Sequence, residues 1–179
     1  SRKVAAYAVA LAEAAGLNQD RVALANTAAL LHDIGKIGVP DKILNKIGKL
    51  TAEEWEAFKS HSALGATIIS YVHTLTPGLP IILHHHERYN GLGYPNRLKA
   101  EDIPLEARIL AVADAFTAMT TARPYRGALS YKEAIEELKR GAGTQFDPNL
   151  VELFVPIALS SASEETPVRN PNDSPAQPE

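Results

Sequence analysis

The sequence predicts an all-α fold, a compact bundle of about seven helices, and three observations predict it. Apolar residues recur at helical spacing along most of the chain, no stretch alternates convincingly in the manner of a strand, and Thr51 followed by Glu54 is a capping box that opens a helix. The first helix covers Ser1 to about Ala15, with Val4, Tyr7, Ala8, Leu11 and Ala15 on one stripe, and Gly16 ends it. The second runs from about Gln19 to Ile34 and stops at Gly35. Residues 35–50 hold Gly35, Gly38, Pro40 and Gly48 and read as an ordered loop. The third helix extends from Thr51 to about Tyr71. A short helix follows Pro80 and reaches His84–His86. A second long loop spans Glu87 to Pro104, where Gly and Pro turn signals cluster. A helix with Pro at its first turn covers Pro104 to about Thr121. Helices near Ser130–Arg140 and Pro148–Leu159 complete a body of residues 1–159, and the Ser-, Pro- and Glu-rich residues 160–179 read as a disordered tail or linker.

Composition narrows the function. Hydrophobic residues make up 45% of the 179 residues, enough for a core, and charged residues 22%. A net charge of −3 argues against DNA binding, which needs a basic surface, but leaves room for a small phosphate ligand. With no cysteine, any metal site must use imidazole and carboxylate. No apolar run reaches membrane-spanning length and no signal peptide stands at Ser1. The chain begins inside a helix, as expected of a piece of a longer protein.

Chemistry gathers at four places. His32 and Asp33 close an apolar helix beside Leu24, Ala28 and Leu31; an ionised Asp against that surface needs compensation, from a metal ion or from a structural hydrogen bond. His61 lies on the stripe Phe58, His61, Gly65, Ile68 and Val72. In His84–His85–His86, at most two imidazoles can point the same way. Asp114 is one acid on the apolar face Ala107, Leu110, Ala111, Ala118. Each alone has a bland structural explanation. Together, four helices present inward imidazole or carboxylate, and one bundle core can gather them. Such a set suits Fe, Mn or Zn, and a carboxylate, for which Asp33 is the candidate, can bridge two ions of a phosphoryl-transfer site.

These residues resemble a known family. His32–Asp33 is similar to the signature pair of the HD superfamily of metal-dependent phosphohydrolases. The runs His32 to Pro40, Leu50 to Trp55, and His85 to Pro95, the last containing Gly93–Tyr94–Pro95, resemble the HD-GYP subfamily. Ile103–Ile109, Ala113–Asp114, Arg123–Arg126 and Gly143–Pro148 continue the likeness, which covers about Ser1 to Pro156. The resemblance implies a helical bundle that hydrolyses cyclic di-GMP to the linear dinucleotide pGpG, and in some members to GMP, with two or three divalent ions, commonly iron or manganese. By position it implies His32, Asp33, His61, His85, His86 and Asp114 as metal ligands. It makes Asp33 and Lys36 catalytic, with Lys36 reaching the scissile phosphate, and Tyr94, Arg123 and Arg126 substrate contacts. Family members carry a further His ligand just before the stretch that starts here at Ser1. Asn90 stands where an Asp is usual, residues 96–100 lack the usual Gly, and Thr117 and Ala122 replace acids. The resemblance also implies a cytoplasmic output domain with a sensory or receiver domain upstream, and a diguanylate cyclase domain as a partner for the Gly93–Tyr94–Pro95 loop. Competing readings are a non-catalytic cyclic di-GMP receptor module, a phosphodiesterase for a related cyclic dinucleotide such as cyclic GMP-AMP, and a general HD nucleotidase.

Overall fold

A computed structural model describes residues 1–122 and 127–165, the side chains of 163–165 excepted. The all-α expectation is borne out: eight α-helices and no β-strand occur among the described residues. They are α1 (Arg2–Ala14), α2 (Gln19–Leu31), α3 (Asp41–Leu44), α4 (Ala52–Ser70), α5 (Leu79–His84), α6 (Leu105–Thr120), α7 (Tyr131–Gly141) and α8 (Pro148–Glu165). The helix beyond the expected seven is α3, a single turn within the loop of residues 35–50. The last helix continues to Glu165, six residues past the expected boundary at Leu159, so residues 160–165 are not tail. No helix among the described residues is long and apolar enough to cross a membrane.

Local chemistry explains the ends. Asn18 caps α2 by accepting the Arg21 N–H at 3.0 Å. The capping box at Thr51 forms as read: its hydroxyl accepts from Glu54 N at 3.2 Å and its own N–H donates to the Glu54 carboxylate at 2.8 Å. A second box, Ser130 with Glu133, starts α7. The second helix stops at Leu31, three residues before the expected Ile34. His32 is its C-cap and a 3-10 turn follows over Ile34–Gly38. Gly35 makes that turn possible: a Cβ there would run into the backbone of His61 and Gly65 on α4.

The core lies where α1 packs against α2 and α6, with α8 alongside. Tyr7, Phe116 and Phe154 meet edge-to-face with centroids 5.0–5.5 Å apart. Two ion pairs hold α6 from outside the core. Arg21 Nε meets Glu106 at 2.6 Å, and Arg108 Nη1 meets the buried Asp147 at 2.5 Å. Thus α6, which carries Asp114, is clamped to α2 and to the start of α8.

Candidate metal centre

The predicted ligands come together from four helices and the turn that follows α2. His32 arrives as the C-cap of α2, Asp33 from the turn after it, His61 from the middle of α4, His85 and His86 from the end of α5, and Asp114 from α6. His32, His61 and His85 are at most 2% exposed. Asp33 and Asp114 keep side-chain exposures of 34% and 32%, so the carboxylates form the open mouth over an imidazole floor.

Two expected faces need correction. On α4 the buried residues are His61, Ser62, Gly65, Ala66 and Ile69, while Val72 is exposed, so the buried stripe is shifted by one residue from the one read in the sequence. On α6 the most buried positions are Ala107, Ile109, Leu110, Val112, Ala113 and Phe116. Ala111, Asp114 and Ala118 lie at the flank of that face, looking onto the cleft instead of into the core. Of the three consecutive histidines, His85 and His86 join the site. His84 turns away toward the buried Glu87, with its Nδ1 3.6 Å from Oε1.

The three buried histidines are oriented alike. Each Nδ1–H donates to a carbonyl three residues back: His32 to Ala29 at 2.7 Å, His61 to Phe58 at 2.7 Å and His85 to Ile82 at 2.6 Å. That bond sets the tautomer and leaves Nε2 with a bare lone pair aimed inward, the arrangement metal-binding imidazoles use. The Nε2 atoms of His32 and His85 are buried without a hydrogen-bond partner. Orphaned polar atoms of this kind call for a ligand.

Spacing agrees. His61 and His86 Nε2 are 3.1 Å apart, and ligand atoms of His61, His85 and His86 all lie within 4.8 Å of one another. His32 Nε2 stands 3.5 Å from Asp33 Oδ2 and 3.6 Å from Asp114 Oδ1, and His61 Nε2 3.9 Å from Asp33 Oδ1. Two atoms bound ~2.0–2.2 Å from one ion sit about 3–3.5 Å apart, so slight contraction seats an ion among them.

Electrostatics point the same way. Burial drives the pKa of His85 well below its ordinary value. Burial, with His61 and Lys36 nearby, takes His86 down to about 3, and burial lowers His61 as well. These three are neutral, as ligands must be. His32 is the exception: burial pulls its pKa down, but the Asp114 and Asp33 carboxylates outweigh burial and raise it. For Asp114 burial pushes the pKa up, and His32 more than reverses that. The carboxylate mouth therefore favours positive charge beside His32.

Lys36 Nζ pairs with Asp33 Oδ2 at 2.6 Å, which places the ammonium at the edge of the cluster. The Tyr94 ring lies over His86, 4.9 Å between centroids and inclined by 31°. Burial, then Asp33 and Asp114, raise the pKa of its hydroxyl, which stays protonated. The loop reaches this position because Gly93 lacks a side chain: a Cβ would strike the backbone of Glu87 and Arg88. The buried Glu87 carboxylate then accepts the Asn96 N–H at 2.7 Å.

A family model, the HD domain, matches residues 1–150. The chain belongs to the HD domain family. The resemblance read from its motifs is thereby borne out. This HD domain is 44% identical over 149 residues to a cyclic di-GMP phosphodiesterase of Thermotoga maritima, covering 82% of this chain and 40% of that protein. It is 39% identical over 156 residues to 3'3'-cGAMP-specific phosphodiesterase 2 of Vibrio cholerae, covering 86% of this chain and 30% of that one. The HD domain thus spans well under half the length of these relatives. Among solved structures, the Bdellovibrio bacteriovorus protein Bd1817 superposes with a TM-score of 0.70 over 87% of this chain and 50% of that one, at 23% identity, which establishes likeness of fold.

Sequence reasoning missed what surrounds the cluster of histidines and carboxylates. A cavity of about 600 Å³ opens beside His86, walled by Trp55, Phe58 and Tyr94 and edged by Lys59, Arg88 and Arg97. Trp55 ends the Leu50–Trp55 run, and its signal was a large aromatic in the first turn of α4. The expected contacts Arg123 and Arg126 lie outside the described residues.

Proposed function

We propose that this HD domain is a metal-dependent phosphodiesterase that hydrolyses cyclic di-GMP to the linear dinucleotide pGpG, with GMP as a further product. The observation that carries this reading is the cluster of inward Nε2 atoms, two of them buried orphans, under the paired carboxylates Asp33 and Asp114. The 44% identity to a cyclic di-GMP phosphodiesterase supports the substrate class. His32, Asp33, His61, His85, His86 and Asp114 would hold two divalent ions, with room in the family for a third. A donor set of imidazole and carboxylate without thiolate suits Fe, Mn or Zn, and the family resemblance selects Fe or Mn. When bound, such ions supply Lewis acidity to the phosphoryl oxygens and to the attacking water.

The chain's own groups do the remaining work. Asp33, with Oδ2 3.5 Å from His32 Nε2 and Oδ1 3.9 Å from His61 Nε2, would help hold the ions. Lys36 moves from Asp33 to the non-bridging oxygens of the scissile phosphate, where its charge offsets the negative charge that builds as water adds and the 3′ oxygen departs. Tyr94, kept protonated, donates a hydrogen bond to the same phosphate region. Arg123 and Arg126 are assigned as phosphate or guanine contacts on the family resemblance. We further place the activity in the cytoplasm, downstream of a sensory or receiver domain. The Gly93–Tyr94–Pro95 loop is a docking edge for a diguanylate cyclase domain, next to which Leu92 is 76% exposed.

The test is anaerobic incubation of the Mn- or Fe(II)-loaded domain with cyclic di-GMP, with products separated and Asp33→Ala as blank. Linear dinucleotide or GMP from the wild type, and none from the blank, is the expected result. Equal turnover in both would remove the reading. Binding without turnover would replace it with the receptor module. A faster reaction with 3'3'-cGAMP would move the substrate toward that of the Vibrio relative.

A further inference from the structure

We infer that Arg97 anchors the half of the cyclic dinucleotide that lies away from the reacting phosphate, an assignment that rests on the phosphodiesterase reading above. Arg97 has φ 57°, in the left-handed region that glycine adopts freely and an L side chain rarely does. Its neighbours hold it there. Asn96 N donates to the buried Glu87 carboxylate at 2.7 Å, and Ala100 N to the Tyr89 carbonyl at 2.9 Å. Backbone strain persists where surroundings impose it, and it concentrates at ligand sites. Arg97 lines the cavity beside His86, and among the described residues its guanidinium has no hydrogen bond or ion pair.

The cavity around it has one chemical character. Trp55, Phe58 and Tyr94 present aromatic surface, with Trp55 stacked on Phe58 at 5.6 Å and edge-on to Tyr94 at 6.0 Å. Arg88 and Arg97 add positive charge, Lys59 is paired with Glu56 at 2.7 Å, and among the described residues no carboxylate lines the wall, on a chain whose net charge is −3. Aromatic faces take bases, and a guanidinium fork takes phosphate oxygens or the acceptor edge of guanine. The cavity adjoins the metal cluster through His86, so a cyclic dinucleotide with one phosphate over the cluster can extend its other half toward Arg97.

The experiment compares two substrates on the Mn-loaded domain. Cyclic di-GMP reaches the cavity. Bis(p-nitrophenyl) phosphate offers only a reacting diester, with no second phosphate and no purine. Arg97→Gly should raise KM for cyclic di-GMP about tenfold or more, the loss of a charge-assisted hydrogen bond. It should leave kcat within a few-fold and the small-diester kinetics unchanged. The melting temperature should hold or rise, because glycine relieves the left-handed strain. Arg97→Lys, which keeps charge and strain but loses the fork, should fall between. An unchanged KM for cyclic di-GMP, or parallel losses on both substrates, would overturn the assignment. A wild type that hydrolyses the small diester while neither hydrolysing nor binding cyclic di-GMP would remove the substrate reading together with this one. A wild type that binds cyclic di-GMP without turnover would remove only the enzyme reading, and the affinity of Arg97→Gly would then decide the anchor.

Discussion

At the scale of single residues, the centre depends on neutral histidines that have been stripped of water. His85, His86 and His61 all have pKa values in the fold below the ordinary imidazole value, His86 at about 3. A group depressed in this way contributes stability above its unfolded pKa of about 6.5 and loses it as pH falls toward the folded value. His32, which is raised, works in the opposite sense: its contribution is present below about 6.5 and lost as pH rises. Three depressed groups against one raised group make acid the destabilising direction. With metal removed by chelator, the urea midpoint should therefore be lower at pH 5 than at pH 7. Replacing His85 with Gln should flatten that dependence and also weaken metal uptake. A midpoint higher at pH 5 would contradict the assigned protonation states.

At the scale of elements, the site depends on how closely the turn after α2 approaches α4. Gly35 sits against the His61 carbonyl and the Gly65 amide, with no room for a methyl group. Gly35→Ala must push the turn off α4, moving Asp33 relative to His61. Overpacking of this kind costs about 1–3 kcal/mol, read as a lower urea midpoint, and metal affinity should fall in the same variant. A Gly35→Ala protein with normal stability and normal metal content would show that the two elements can separate without effect. The reach of the signature loop has a similar basis. Gly93 lets it lie on Glu87 and Arg88, and the buried carboxylate of Glu87 holds the next stretch. Glu87 was given no role from the sequence, because a Glu after three histidines at a helix end looks like ordinary surface.

Across the whole molecule, the bundle collects the proposed ligands from elements far apart in the chain, between residue 32 and residue 114. The unfolded chain has no such site, so metal binding stabilises the fold. Mn(II) at one hundred times its dissociation constant should stabilise the domain by about 2.7 kcal/mol, and chelator should reverse the gain in a melting experiment. Asp114→Asn should shrink the shift without unfolding the protein, since Asp114 is at the mouth, 32% exposed, and not within the aromatic core. An identical shift in that variant would exclude Asp114 from the ligand set.

How much was legible in the sequence follows from the range of the forces involved. Helix periodicity, the capping box at Thr51 and the order of the motifs depend on neighbours within a few residues, and seven of the eight helices among the described residues follow that reading. The ligand types were legible because a charged or imidazole group on an apolar face needs compensation wherever the chain folds. The buried stripe of α4, the flank position of Asp114 and the outward turn of His84 depend on which helices pack against which, a choice made by the core around Tyr7, Phe116 and Phe154. The cavity of Trp55, Tyr94 and Arg97 was least legible. It joins α4 to a loop some forty residues later, and only tertiary packing gives those side chains a common space.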